Sequence, residues 1–555
     1  MKITEDFVNL LSPTVRAESM PLNAPNCYPY VPLILEEQIS EVQIPLIWMS
    51  NELTQLAIAP SLGGRILALR DLRTDTDIIA IPDQLPLRPG GIRGVELPFG
   101  IEFLAGVERL DSLAHVDYRI KESGGKDGKI AVFLHSWVGD LSWHGVITLA
   151  PHRAGIVVEQ RIQNRRWQSL PARSGIKIWC QDASDSFGLS VIDSQNRFIV
   201  QESGEFSTMP KSGRLAGHRM DEWRVEILPY SNLSTCIAAS SQLSVGLSDS
   251  ELAIQAHEDI EGAKVFLSVD GQTLESQLTL SPGAPVSFSV TEFSGKIEGV
   301  VVRDASKQQI LTWPNKRQVE TQPWVDFPHE ILDQLTLSEN FDRQVFRHIP
   351  GAEAFGLQNQ AFLTKSAEEA DDLMERYLAY LADDALGWWL KASLRREHGQ
   401  EPQDSDIELP NAHYLAPLEP LLKAEAFLNT PQAAGKEPNP LLASIAAQPE
   451  IASGVVGTYL QNRLLLGMAR LADELLRHQE NAIIRLLLAY ALLNRPGMEA
   501  TAAEHVAFAE KEPWLPPFPS RKIEVSAVAT LSNRFPQADR LNQLNKLVKS
   551  SDANE

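Results

Sequence analysis

One change of period divides this chain, and it limits the available folds more than any single motif does. Up to about Pro314, apolar and polar residues alternate in short β-branched runs; beyond it, apolar residues recur at spacings of three and four. A chain that makes this switch once folds as a β-region followed by an α-region, not as repeated βαβ units. The runs 129–137, 143–149, 155–162 and 175–179 read as strands. Gly139-Asp140, the segment 151–155 and Asp270-Gly271 are turn signals that make neighbouring strands antiparallel. From 201 to 223 the alternation weakens, and the segment reads as a long loop. Shorter strands at 244–252, 263–269, 274–280 and 286–293 predict the last strands of a sandwich and a small immunoglobulin-like β-module.

Ser366-Ala367-Glu368-Glu369 is a capping box, and Ala370, Leu373, Met374, Tyr377, Leu378 and Leu381 follow at helical spacing. A second helix over 385–396 stops at Gly399, giving a hairpin of tetratricopeptide size. Degenerate pairs follow at 454–478 with 481–493, and at 499–510 with 522–534. The segment 429–440, rich in Pro, Ala and Gly, reads as a linker. The expected division is a β-sandwich over 1–235, a β-module over 236–320 and a helical domain over 321–555, with helices from about Phe327. A chain of 555 residues is too long for one core.

The net charge of −22 argues against nucleic acid or an anionic membrane as partner. Cys27, Cys180 and Cys236 are too far apart in sequence for a disulfide framework. The acidic N-terminus is unlike a signal peptide, and no apolar run reaches membrane-span length, so a cytoplasmic location is expected. The chain has no HxH, HExxH, GxSxG, P-loop or dinucleotide fingerprint, so no cofactor and no catalytic metal are expected.

The candidate site is the stretch 63–103. Gly63-Gly64 precedes Arg65 and an alternating strand, and a Pro/Gly-rich loop then leads to Gly94-Val95-Glu96-Leu97-Pro98-Phe99. Paired glycines allow close approach of backbone or ligand, and an Arg behind them can hold a hydroxyl or carboxylate. Gly63-Gly64-Arg65-Ile66 with Asp71-Leu72-Arg73-Thr74 resembles the opening of the galactose-mutarotase-like superfamily. Gly94 to Gly100, Arg161 to Arg165, Ile178 to Gln181, and Pro513 to Pro519 with Glu524 resemble, in order, segments of an uncharacterised mutarotase-like family. That family is a domain of unknown function usually followed by tetratricopeptide-type helices. Ile101-Glu102-Phe103 stands where its pattern continues to a His.

The resemblance implies an antiparallel β super-sandwich that binds a mono- or oligosaccharide. It also implies a glutamate base, matched by Glu96, and a histidine acid that opens and closes a pyranose ring. His115, His135 and His144 are the strand-borne candidates for that acid, and His144, beside Trp143, is taken forward. Arg65, Arg93, Glu102, Trp179 and Gln181 are the expected sugar-binding residues, since a Trp face stacks on a pyranose while polar groups take its hydroxyls. Each has a plainer reading: Glu96 and Glu102 as ion-pair partners of Arg65, Arg88 or Arg93, and the tryptophans as core. Three functions stay open: an epimerase-like or glycoside-processing enzyme, a non-catalytic sugar-binding protein, and a scaffold. In the scaffold the helices would dock a protein partner or a second copy of the chain.

Overall fold

The alternation in the first part of the chain produces two antiparallel sheets packed face to face. The computed structural model describes residues 1–17, 33–90, 93–105, 108–109, 112–122, 128–165, 170–180, 187–193, 198–201, 204–207, 211–215, 217–233, 235–248, 251–269, 271–283, 285–289, 297–314, 352–382, 384–400, 408–430, 438–511, 519 and 521–552. The first sheet runs in the order Lys2–Ala17, Leu33–Ser50, Thr54–Ala59, Arg65–Asp71, Gly100–Ala105, Leu170–Cys180, Gly204–Ser207. The second runs Asp117–Glu122, Ile130–Val138, Leu141–Leu149, Ile156–Asn164, Met220–Ser231, Phe187–Asp193, Phe198–Gln201.

Register decides which residues meet between the sheets. Ile101 stands opposite Ile178 and Phe103 opposite Ile176, and the Phe103 ring lies 5.2 Å from that of Trp143 on the second sheet. Trp143 donates to Gln160 Oε1 at 2.9 Å, and Gln160 Nε2 donates to the Gly175 carbonyl at 2.8 Å, so the buried polar groups are paired across the sandwich. Strand side chains alternate, so Glu102 with its opposite residue Lys177, and Trp179 opposite Gly100, turn to the outer face of the first sheet. Gly100 has φ 72°, and a Cβ there would lie 2.4 Å from the Ile66 carbonyl oxygen, which is why the strand carrying Glu102 can start so close to its neighbour.

Two segments form strands that the sequence reading did not name. The first sheet begins at Lys2, with a strand whose Phe7 and Leu11 are 60% and 47% exposed. Its irregular alternation reflects an edge position rather than a core face. A shift of register between Pro13 and Val15 accommodates the proline, which has no N–H to donate. Within 201–223, the expected loop, Gly204–Ser207 and Lys211–Leu215 both pair with Leu170–Cys180. These short polar strands carry no period-two signal.

Two four-stranded antiparallel sheets follow among the described residues, made of strands between Cys236 and Trp313 around Val245, Ile254, Val265, Val300 and Val302. Twelve α-helices then run between Ala352 and Asp552 among the described residues. Ser366 caps Ala367–Tyr380 by accepting from the Glu369 N–H. Gly399, at φ 74°, follows Ala385–Glu397. The expected helix 454–478 is two helices, Pro449–Gln461 and Leu465–His478, broken at Arg463 with φ 58°. No Gly or Pro marks that break, so the apolar spacing read straight through it. The expected helix start near Phe327 and most of the linker lie outside the described residues. No described helix is long and apolar enough to cross a membrane.

Candidate functional site

The glutamate loop is held from beneath by Arg65. This side chain is 1% exposed, and its Nη1 donates to the carbonyls of Leu97 and Phe99, both at 2.6 Å. Nε donates to the Leu62 carbonyl at 3.1 Å, and Nη2 lies 3.3 Å from Glu102 Oε2. The rigid fork therefore fixes the Leu97–Phe99 bend to the strand Arg65–Asp71. Glu102, 4% exposed, is its counter-ion in this buried position.

Glu96 points to the outer face. It is 8% exposed, and its Oε1 accepts from Arg88 Nε at 2.6 Å. A Cβ at Gly90 would lie 2.8 Å from the Glu96 carboxyl carbon, so the glycine lets the loop close over the carboxylate. The Arg88 guanidinium is 5.2 Å from the Trp179 ring centroid, and Lys177 Nζ is 3.9 Å from it. Both are cation–π distances. Half of the Arg88 side chain is exposed, so it forms the solvent edge of a group whose Trp179, Glu96 and Lys177 are 8%, 8% and 4% exposed. Arg65, Glu96, Glu102 and Trp179 thus fall in one region of the first sheet. Arg93 borders it, its carbonyl accepting from Leu33 N–H at 2.6 Å. Gln181 lies outside the described residues.

His144 is elsewhere. It neighbours Trp143, which fills the space between the sheets, so its own ring turns to the far side of the second sheet. There it meets the helices. Ser142 Oγ is 3.1 Å from His135 Nε2 and 3.0 Å from His144 Nε2, and it donates to Glu419 Oε2 at 2.7 Å. Trp137 Nε1 donates to Glu419 Oε1 at 3.1 Å. The hydroxyl satisfies all three neighbours when both imidazoles donate through Nε2–H. Burial pushes the His144 pKa down, as does the positive charge of His135, to about 3, against the opposing pull of Glu419. Burial would raise Glu419, but hydrogen bonding to His135 and the charges of His135, Arg165 and His144 hold it at about 2. His135, His144 and Glu419 offer ligand atoms within 4.8 Å of one another. Ser142 Oγ bonds to a ligand atom of each of the three.

A second buried junction centres on Asp384. Its carboxylate accepts from Tyr377 and Gln163 and from the Leu386 N–H, and lies 3.2 Å from His218 Nδ1. The structure thus places His144 with the helical interface and Glu96 with the outer sheet face.

Several of these residues escaped the sequence reading. Lys177 and Trp179, two apart on a strand, share a face, a signal that was present. Asp384 as the cap of the helix from Ala385 was equally visible. Glu419 sits at a helix start before Pro420 but gives its carboxylate to the sandwich rather than to its own helix. Its partners are more than 270 residues away in sequence, and no local pattern reports that.

The fold and the site define a multidomain chain of antiparallel sheets followed by a helical array, joined through buried polar contacts. No family model and no curated protein matches it. Among solved structures, a TPR-domain containing protein from Parabacteroides distasonis is 11% identical, with 96% of this chain and 95% of that chain covered and a TM-score of 0.31. A galactose mutarotase-like protein from Clostridium acetobutylicum is 10% identical, covering 54% and 83%, with a TM-score of 0.20. A galactose mutarotase-like protein from Lactobacillus casei is 11% identical, covering 46% and 99%, with a TM-score of 0.19. Likeness at this level carries no inference about activity.

Proposed function

We propose that this protein binds a saccharide without turning it over, on the outer face of the first sheet beside Trp179. On this reading the stacked sheets are a mutarotase-like sandwich, with an immunoglobulin-like module and repeat-like helices attached. The observation that carries it is the group around Trp179: an indole ring with Lys177 and Arg88 at its face and Glu96 fastening Arg88. An aromatic face takes the C–H side of a pyranose, and flanking charged groups take its hydroxyls. Ring opening would need an acid near Glu96, and His144 is engaged on the far side of the other sheet.

The test is a calorimetric screen of neutral mono- and oligosaccharides with the intact protein. At least one should bind, and Glu96→Ala, which releases Arg88, should weaken it at least about tenfold, or about 1.4 kcal/mol. Anomer exchange followed by NMR should not exceed the uncatalysed rate. Binding untouched by Glu96→Ala would place the ligand elsewhere, and catalysed exchange would restore the enzyme reading.

A further inference from the structure

A cleft of about 860 Å³ opens where the sandwich loops meet the helices, and it lies apart from the Trp179 face. Its sandwich wall is Asp140, Arg165 and His218; its other wall is made by residues of seven helices and their ends. This size and a position between domains are those of ligand sites.

Three groups of residues set its chemistry. The first is cationic: among the described residues, Arg165, Arg463 and Arg521 line the cleft against one carboxylate, that of Asp140. In a chain of net charge −22 this local excess of guanidinium is notable. Arg165 and Arg521 both lie over the Trp137 ring, at 3.5 and 5.5 Å from its centroid. A Cβ at Gly454 would lie 2.5 Å from Arg521 Nη2 and 2.7 Å from Trp137, so the glycine makes room for this arrangement. Glu524 holds Arg521 Nη1 at 2.9 Å, while Arg521 Nε is buried with no hydrogen-bond partner among the described residues. Arg463 is exposed and has no ion pair among the described residues.

The second group is amides. Gln358 and Asn359 come from one helix, Ala352–Leu363, and Asn462 and Asn494 from the C-terminal ends of two others. Asn462 and Asn494 tie their amide nitrogens to the Thr458 and Tyr490 carbonyls of their own helices, at 2.8 and 3.1 Å, which turns each Oδ1 to acceptor duty. The third is aromatic: Phe362 and Tyr490, both half-buried, with Trp389 behind.

We infer that this cleft binds an acidic oligosaccharide. Carboxylates on successive sugar rings match guanidiniums, hydroxyls match a row of amide acceptors, and ring faces match Phe362 and Tyr490. The inference goes beyond the proposal for the Trp179 face and does not rest on it.

The test is calorimetric titration of the full-length protein with trigalacturonate, the neutral galactose trimer and triglutamate. Trigalacturonate should bind at least about tenfold more tightly than either of the others. Arg463→Asn removes a cleft charge at a position where asparagine tolerates the left-handed backbone. Asn494→Asp puts an anion at the rim. Each should weaken the trimer about tenfold with an unchanged melting temperature. The inference is overturned if trigalacturonate does not bind, if neither variant weakens it, or if a neutral sugar bound beside Trp179 competes with it. Triglutamate binding as tightly as the sugar would replace the saccharide by an acidic peptide and equally overturn it.

Discussion

Replacing Glu419 by alanine should lower the stability of this protein by about 3–5 kcal/mol, the range for breaking a buried charged network from one side. The carboxylate is 1% exposed and takes hydrogen bonds from Trp137 Nε1 and Ser142 Oγ. Alanine leaves an indole N–H and a hydroxyl buried without their acceptor, and each such orphan costs about 1–3 kcal/mol. Glu419→Gln keeps an acceptor oxygen for one of these donors and should lose less than half as much. Scanning calorimetry should show a fall of about 10 °C in the transition that includes the sandwich–helix interface. A change under about 1 kcal/mol would mean that the helices are not fastened to the sheet through this carboxylate.

The same network makes the interface acid-sensitive. The folded-state pKa of His144 is depressed from 6.5 to about 3 by burial and His135, and that of Glu419 from 4.5 to about 2. Both groups therefore contribute stability that is fully present above their unfolded values. As pH falls below about 6.5, the unfolded chain takes up a proton at His144 that the folded chain refuses; below about 4.5 the same holds at Glu419. Stability should be flat above pH 7 and decline down to about pH 2, with proton uptake on unfolding. Each pKa unit corresponds to about 1.4 kcal/mol, so the full loss amounts to several kcal/mol. His135, Arg161 and Arg165 are the other charged groups acting on this pair. Buried His257, also held well below its ordinary value by burial, adds to the slope. The part due to the interface is the difference between the wild type and His144→Gln, whose curve should be flatter between pH 6.5 and 4. Identical slopes would contradict a neutral, buried His144.

Much of this architecture could be read from local pattern. Period-two runs marked the sheets, and the capping box at Ser366 marked a helix whose buried side, Ala370 to Leu378, was read residue by residue. What escaped was set by neighbours. Strand Lys2–Ala17 exists because Leu33–Ser50 lies beside it. The break at Arg463 depends on a backbone twist that arginine rarely adopts and that no residue type announces. In the site, the plainer reading left open which of Arg65, Arg88 and Arg93 meets which carboxylate; Arg65 meets Glu102 and Arg88 meets Glu96, and Arg65 also serves the loop backbone. His144 was chosen for standing next to Trp143, yet strand alternation sends the two rings to opposite faces. Lys177 was passed over, although its position two residues from Trp179 on a strand puts it on the same face.

The most direct measurement is saturation-transfer NMR on the sugar found to bind, with wild-type protein and with Trp179→Ala. The C–H face of one pyranose ring should receive the strongest transfer from the wild type, and Trp179→Ala should abolish it while the protein melts within a few degrees of the wild type. Undiminished transfer from folded Trp179→Ala would contradict a saccharide site on this sheet face.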